Sequence, residues 1–163
     1  MALSPILRRL EGGDRRSIGQ SNDVAAAVLA DPSLFDSVFA GLFAADPVVR
    51  ARAADAVEKI SAVHPDCLSP YRGVLLTELA QSDQMEVRWH VAQMLPRLRW
   101  SARDRRRVYD VLSGYLRDSS RLVKTFAMQG LADLSRQAPE LRPAVLRRLR
   151  HLAVAGTPAR PRT

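Results

Sequence analysis

Three stretches of the chain repeat one arrangement of apolar and polar positions. Residues 49–60 (Val-Arg-Ala-Arg-Ala-Ala-Asp-Ala-Val-Glu-Lys-Ile), 87–98 (Val-Arg-Trp-His-Val-Ala-Gln-Met-Leu-Pro-Arg-Leu) and 123–134 (Val-Lys-Thr-Phe-Ala-Met-Gln-Gly-Leu-Ala-Asp-Leu) align without gaps, at offsets of 38 and 36 residues. Each has an apolar residue at its first, fifth, ninth and twelfth positions, a basic one at its second, and Asp or Gln at its seventh. At about 100° per residue the four apolar positions fall within a narrow arc of an α-helix. In the first copy they are Val49, Ala53, Val57 and Ile60. The sixth position (Ala54, Ala92, Met128) borders this stripe and stays apolar, which suits contact with a neighbouring repeat. The spacing predicts three helices over these residues.

A second amphipathic helix is predicted before each copy, over 34–45, 70–81 and 102–117, and residues 141–155 would open a fourth unit. Asp46-Pro47, and Ser101 with Asp104 three residues on, are helix-start signals. His64-Pro65-Asp66 and Ala138-Pro139 mark turns between units. Pro96 falls in the last turn of its helix, which predicts a kink or an early end there.

An apolar stripe, a turn carrying Asp, and an inner helix opening Val-Arg with small residues after it resemble the HEAT-repeat family. The motif reads Asp46-Pro-Val-Val-Arg50, Gln84-Met-Glu-Val-Arg88 and Ser119-Ser-Arg-Leu-Val-Lys124, and the likeness covers about residues 33–155. The stretches Gly12-Gly-Asp-Arg-Arg-Ser-Ile-Gly19, Ala53-Ala-Asp-Ala-Val-Glu-Lys59 and Glu86-Val-Arg-Trp-His-Val-Ala-Gln-Met94 are similar to small bacterial HEAT-repeat proteins of unassigned activity. The resemblance implies an all-α fold: a short right-handed α-solenoid, armadillo-like, of about three helix pairs with an N-terminal helical cap. The corresponding division is a cap and loop over 1–32, a repeat domain over 33–155, and a flexible basic tail over 156–163. It also implies that the second helix of each pair lines a concave, binding side, and that Arg50, Arg88 and Lys124 make polar contacts between repeats.

With the buried arc centred on the fifth position, the third, seventh and tenth face away from it. They hold Ala51, Asp55 and Glu58, then Trp89, Gln93 and Pro96, then Thr125, Gln129 and Ala132, flanked by Arg52 and Lys59, His90 and Arg97, and Phe126 and Asp133. A tryptophan among hydrogen-bonding groups has the composition of a binding anchor. Trp89, Gln93, Asp55, Gln129, Arg52 and His90 are therefore the candidate partner-binding residues. Two blander roles stay open: Trp89 packs on a neighbouring helix, and the Asp/Gln row holds adjacent helices in register.

Charge adds a second possibility. Residues 1–98 hold 10 basic and 12 acidic side chains, residues 99–163 hold 15 and 5, so the whole excess lies at the C-terminal end. Such asymmetry points to nucleic acid or an acidic partner, although all but Lys59 and Lys124 of the basic residues are Arg, a bias that codon usage also produces. Candidate anion-binding residues are Arg15 and Arg16 in the Gly-rich loop, and Arg106 and Arg107 on the helix over 102–117. The last two, with Arg103, Arg142, Arg147, Arg148 and Arg150, are expected largely on the convex side, and the basic end Ala159-Arg-Pro-Arg-Thr163 would add to them in binding nucleic acid. Asp55 and Glu58 on the concave side would repel phosphate.

Catalytic patterns are missing from the sequence. His64, His90 and His151 are scattered, the single Cys67 forms no Cys-x-x-Cys, and no Gly-x-Ser-x-Gly occurs. No cofactor or metal is expected. The N-terminus has no apolar run of a secretory signal, and no stretch approaches the ~18 apolar residues of a spanning helix. The expectation is a soluble, cytoplasmic, non-enzymatic scaffold that binds a protein partner on its concave face, with nucleic-acid association through the C-terminal arginines as the alternative.

Overall fold

Capping chemistry starts the repeated helices where the sequence signals them. Asp46 accepts a 2.7 Å hydrogen bond from the Val48 N–H, with Pro47 at the first helical position, where no N–H is needed. Ser101 accepts from the Asp104 N–H at 3.2 Å, and its hydroxyl donates to the Asp104 carboxylate at 3.0 Å. Ser101 and Arg107 together hold that carboxyl below its usual range. Ser120 accepts from the Val123 N–H at 3.4 Å.

The computed structural model describes residues 3–155, and the regular structure among them is entirely helical. The helices are α1 (Pro5–Arg8), α2 (Ser21–Ala30), α3 (Phe35–Ala40), α4 (Pro47–Val63), α5 (Arg72–Leu76), α6 (Met85–Met94), α7 (Ala102–Tyr115), α8 (Arg121–Gln137) and α9 (Arg142–Ala155). Residues 156–163, including the expected basic tail, lie outside the described residues. α4 and α8 end just before His64 and Ala138, each of which leaves the helical region at φ −127° and ψ 76° because a proline follows. At Pro96, α6 has already given way to the 3₁₀ turn Leu95–Arg97, the early end that the proline predicts.

The first helices of the pairs are less regular than the amphipathic pattern suggests. In place of one helix over 34–45 there is a 3₁₀ turn, the six-residue α3, and a second 3₁₀ turn at Gly41–Phe43. Gly41 sits so close to the elements beside it that a Cβ there would meet Leu7 Cδ2 at 2.6 Å and Ala53 Cβ at 2.8 Å. The helix expected over 70–81 is regular only for the five residues of α5. Thr77 turns its hydroxyl back to the Gly73 carbonyl at 2.9 Å, and Leu79 bonds Val74 one residue further back than an α-helix allows.

α4 packs between α2 and α6, and α6 between α4 and α8; α3 lies on α4, while α7 and α9 lie on α8. The stripe positions of all three copies are 2% exposed or less, from Val49 to Leu134. Burying each Val, Leu or Ile contributes roughly 1.5–3 kcal/mol, which makes these positions the main stabilisers of the stack. One continuous core runs from Ile6 to Val145. The sixth position shows what a neighbour does. Ala54 and Ala92 are fully buried, whereas Met128 on α8, the last helix of the row, is 36% exposed.

Candidate functional site

The N-terminal loop between α1 and α2 is organised by one guanidinium. Arg52, at the fourth position of the first copy, points back from α4 into this loop. Its Nη1 donates to the Leu10 and Glu11 carbonyls at 2.8 and 3.2 Å, its Nη2 to Asp14 O at 3.2 Å, and its Nε to Ser17 O at 3.1 Å. The loop can wrap so tightly because Gly12, Gly13 and Gly19 adopt positive φ. A Cβ on Gly19 would lie 2.7 Å from the Arg52 guanidinium carbon. Helical phase placed Arg52 at the rim of a binding face. In the structure Arg52 is buried and its donors are taken up by the loop, although it still lines the cleft beside that loop.

Beside this loop lies a cleft of about 650 Å³. Arg15, Arg16 and Ile18 form one wall; Arg52 and Asp55 of α4, Met85, Glu86, Trp89 and His90 of α6, and Leu122 of α8 form the rest. Of the residues singled out from sequence, Trp89, Asp55, His90, Arg52, Arg15 and Arg16 thus come together. Ile18, Met85 and Leu122 are exposed apolar side chains at its rim, and Trp89 is half-buried against the core rather than free. The Trp89 and His90 rings are tilted by 60° with centroids 5.5 Å apart.

The floor of the cleft is polar. Asp55 accepts hydrogen bonds from the Ser21 hydroxyl and from Lys59, and its Oδ1 lies 3.9 Å from His90 Nε2. His90, also expected to be accessible, is buried instead. Burial drives its pKa down to about 4; Asp55 opposes that shift, and Lys59 and Arg97 add to it. His90 is therefore neutral at pH 7, and its buried Nδ1 has no hydrogen-bond partner. Glu86 is in the same position: it is buried, its Oε2 is unpartnered, and Arg15 lies 3.8 Å from its Oε1. Glu86 went unremarked in the sequence, yet Glu86, Trp89, His90 and Gln93 follow the i, i+3, i+4, i+7 spacing of one helical face.

The remaining candidates lie elsewhere. Gln93 and Gln129 line a separate cleft of about 460 Å³ between α6 and α8, with Phe126, Asp133 and Arg136. Gln93 donates to the Trp89 carbonyl at 3.3 Å and Gln129 to Asp133 at 3.0 Å, so the Asp/Gln row makes no bonds along itself. At the second position two of the three basic residues, Arg50 and Arg88, reach to a neighbouring turn instead. Arg50 donates to Gln84 at 2.8 Å, and Arg88 grips Asp118 through Nε and Nη2 at 2.7 and 3.2 Å. Arg106 and Arg107 are exposed on α7, 3.4 Å from Asp110 and 3.1 Å from Asp104 respectively, and Arg106 also lies over the Tyr109 ring.

Among the described residues no group of three His, Cys, Asp or Glu is placed to hold a metal ion, and no helix is long and apolar enough to cross a membrane. No family model, curated protein or solved structure matches the chain.

Proposed function

We propose that the protein is a non-enzymatic HEAT-type α-solenoid that binds an extended segment of a protein partner in the cleft beneath Trp89. The observation that carries this reading is the make-up of that cleft. Exposed apolar groups (Ile18, Met85, Leu122) surround a half-buried indole, and beneath them two buried acceptor-bearing side chains, Glu86 and His90, lack hydrogen-bond partners. Buried polar groups are normally satisfied, and a peptide backbone or side chain entering the cleft supplies both donors and apolar contact. Residues of α4, α6 and α8, the three repeated helices, all line this cleft, which supports reading it as the binding face.

Nucleic-acid association has less support. Arg106 and Arg107 are each compensated by a carboxylate on their own helix. Affinity capture from the host organism, with intact and Trp89→Ala protein and nuclease-treated controls, tests the proposal. A specific partner is expected to be lost with Trp89→Ala, since a central aromatic anchor contributes roughly 2 kcal/mol or more, and to survive nuclease and 200 mM salt. Equal recovery by the two proteins, or loss on nuclease treatment, overturns it.

A further inference from the structure

A third hollow, of about 890 Å³, lies apart from the Trp89 cleft, between the turn after α4, the start of α5, the segment after α6, the first turn of α7 and the end of α8. Four arginines line it, Arg72, Arg97, Arg99 and Arg105, with Asp66 the one carboxylate on the lining. Like charges converge only where something offsets their repulsion. For two of the four the offset is visible. Arg97 pairs with Glu58 and also donates to the Glu58 carbonyl at 2.7 Å and to Ser61 at 2.9 Å, and Arg105 Nε lies 3.0 Å from Glu140 Oε1. Neither Arg72 nor Arg99 has a carboxylate within ion-pair distance among the described residues.

The donors are unspent as well as the charge. Arg72 Nε is buried with no hydrogen-bond partner, and Arg105 Nε, although near Glu140, is out of hydrogen-bond alignment. Buried donors are normally satisfied, and both residues line the hollow, so a ligand oxygen bound by their guanidinium groups would stabilise the arrangement. Trp100 and Pro65 supply apolar wall, and the indole N–H is already committed to the Leu95 carbonyl at 2.7 Å.

We propose that this hollow binds the phosphate group of a small phosphorylated molecule. Arg forks match phosphate oxygens in geometry and charge. A phosphate offers enough oxygens to meet the guanidinium groups of Arg72, Arg99 and Arg105 together, where a carboxylate has only two. The volume falls within the roughly 300–1,000 Å³ of small-molecule sites.

Isothermal titration of the full chain with inorganic phosphate and with pyrophosphate tests the assignment, with tryptophan fluorescence, to which Trp100 on the wall contributes, as a second readout. Saturable pyrophosphate binding is expected, weakened roughly tenfold or more in Arg72→Gln/Arg99→Gln, since charge-assisted contacts are the strong ones. It should be unchanged in Arg15→Gln/Arg16→Gln and Arg106→Gln/Arg107→Gln. The ligand-free melting temperature should not fall in the Arg72→Gln/Arg99→Gln protein, because neither side chain holds a partner. If that protein nevertheless fails to fold, Arg99→Gln alone, at an exposed position, must still weaken binding by about threefold. No saturable binding, equal losses in all three double variants, or binding of a single-stranded oligonucleotide but not of pyrophosphate overturns the proposal.

Discussion

The α4–α6 and α6–α8 seams join equivalent helices by different chemistry. At the fourth repeat position α4 carries Arg52, α6 carries His90 and α8 carries Phe126, each directed at the element before it. Arg52 binds loop carbonyls, His90 faces Asp55, and Phe126 shares a cleft with Gln93 and Pro96. At the eighth position Ala56 and Met94 are buried side chains, but α8 has Gly130, where a Cβ would stand 2.8 Å from the Ala92 carbonyl oxygen. His90 and Asp55 thus meet across the α4–α6 seam while Arg52 ties α4 to the N-terminal loop, and at Gly130 the backbones of α6 and α8 come together with no room for a side chain. Across α4–α6 the His90–Asp55 contact depends on protonation; across α6–α8 the Gly130 contact depends on volume, and the Arg88–Asp118 pair that ties α6 to the turn before α8 depends on charge.

Gly130→Val should break this pairing most severely. The added side chain would meet a backbone oxygen, which cannot rotate away, and Leu112 methyls at 3.2 and 3.3 Å. Overpacking of this kind costs about 3 kcal/mol, more than the ~1 kcal/mol of helix propensity that replacing a glycine returns at best. Urea unfolding should show a lower midpoint with an unchanged m-value. A midpoint within error of the native protein would mean that α8 can stand off from α6, and that close approach is not what joins them.

The sequence announces the volume-based features better than the polar ones. Twelve stripe positions, the Asp46 and Ser101 caps and the break at Pro96 follow from local pattern, and local pattern is what periodicity reports. α2 escaped because its buried face is built from Ser21, Val24, Ala25 and Val28, small residues with weak contrast, and because Gln20 supplies no capping bond. Trp89 and Asp55 were legible from helical phase. The burial of Arg52 and His90 was not, because the groups that cover them come from elsewhere in the chain: the loop carbonyls around Arg52 are 35 to 42 residues distant. Phase assigns a side chain to a face but cannot say what folds over that face.

His90 gives the α4–α6 seam a pH dependence that sets in just below neutrality. Its pKa falls to about 4 in the folded protein from an ordinary 6.5, chiefly through burial, with Asp55 opposing and Lys59 and Arg97 assisting; the buried Glu86 carboxylate also lines the cleft it faces. The unfolded chain therefore takes up a proton first as pH falls. Stability from this group is complete above about pH 7 and is lost as pH drops through 6.5 toward 4, amounting to about 2 kcal/mol by pH 5. Urea midpoints at pH 7 and 5 should diverge by that amount in the native protein and much less in His90→Asn. Equal acid sensitivity in both proteins would assign the loss to carboxylates instead.

The smallest expected effect isolates charge at a position both seams share. Arg50 and Arg88 occupy the second repeat position and reach to the turn that opens the next inner helix. Arg50 meets the neutral amide oxygen of Gln84, whose Nε2 in turn donates to Pro47 O at 2.8 Å; Arg88 meets the Asp118 carboxylate with two N–H groups. Burial raises the Asp118 pKa, but the Arg88 bonds, the Ser120 N–H and Lys124 outweigh it and leave that carboxyl below its usual range. Double-mutant cycles through alanine should give a coupling of about 1–1.5 kcal/mol for Arg88–Asp118 and about 0.5–1 kcal/mol for Arg50–Gln84. Only the first should shrink as pH falls through the depressed Asp118 pKa, since protonation removes the ion pair but leaves an amide untouched. If both couplings persist equally in acid, the Arg88 contact acts through hydrogen-bond geometry alone, and protonation then distinguishes the seams solely at His90.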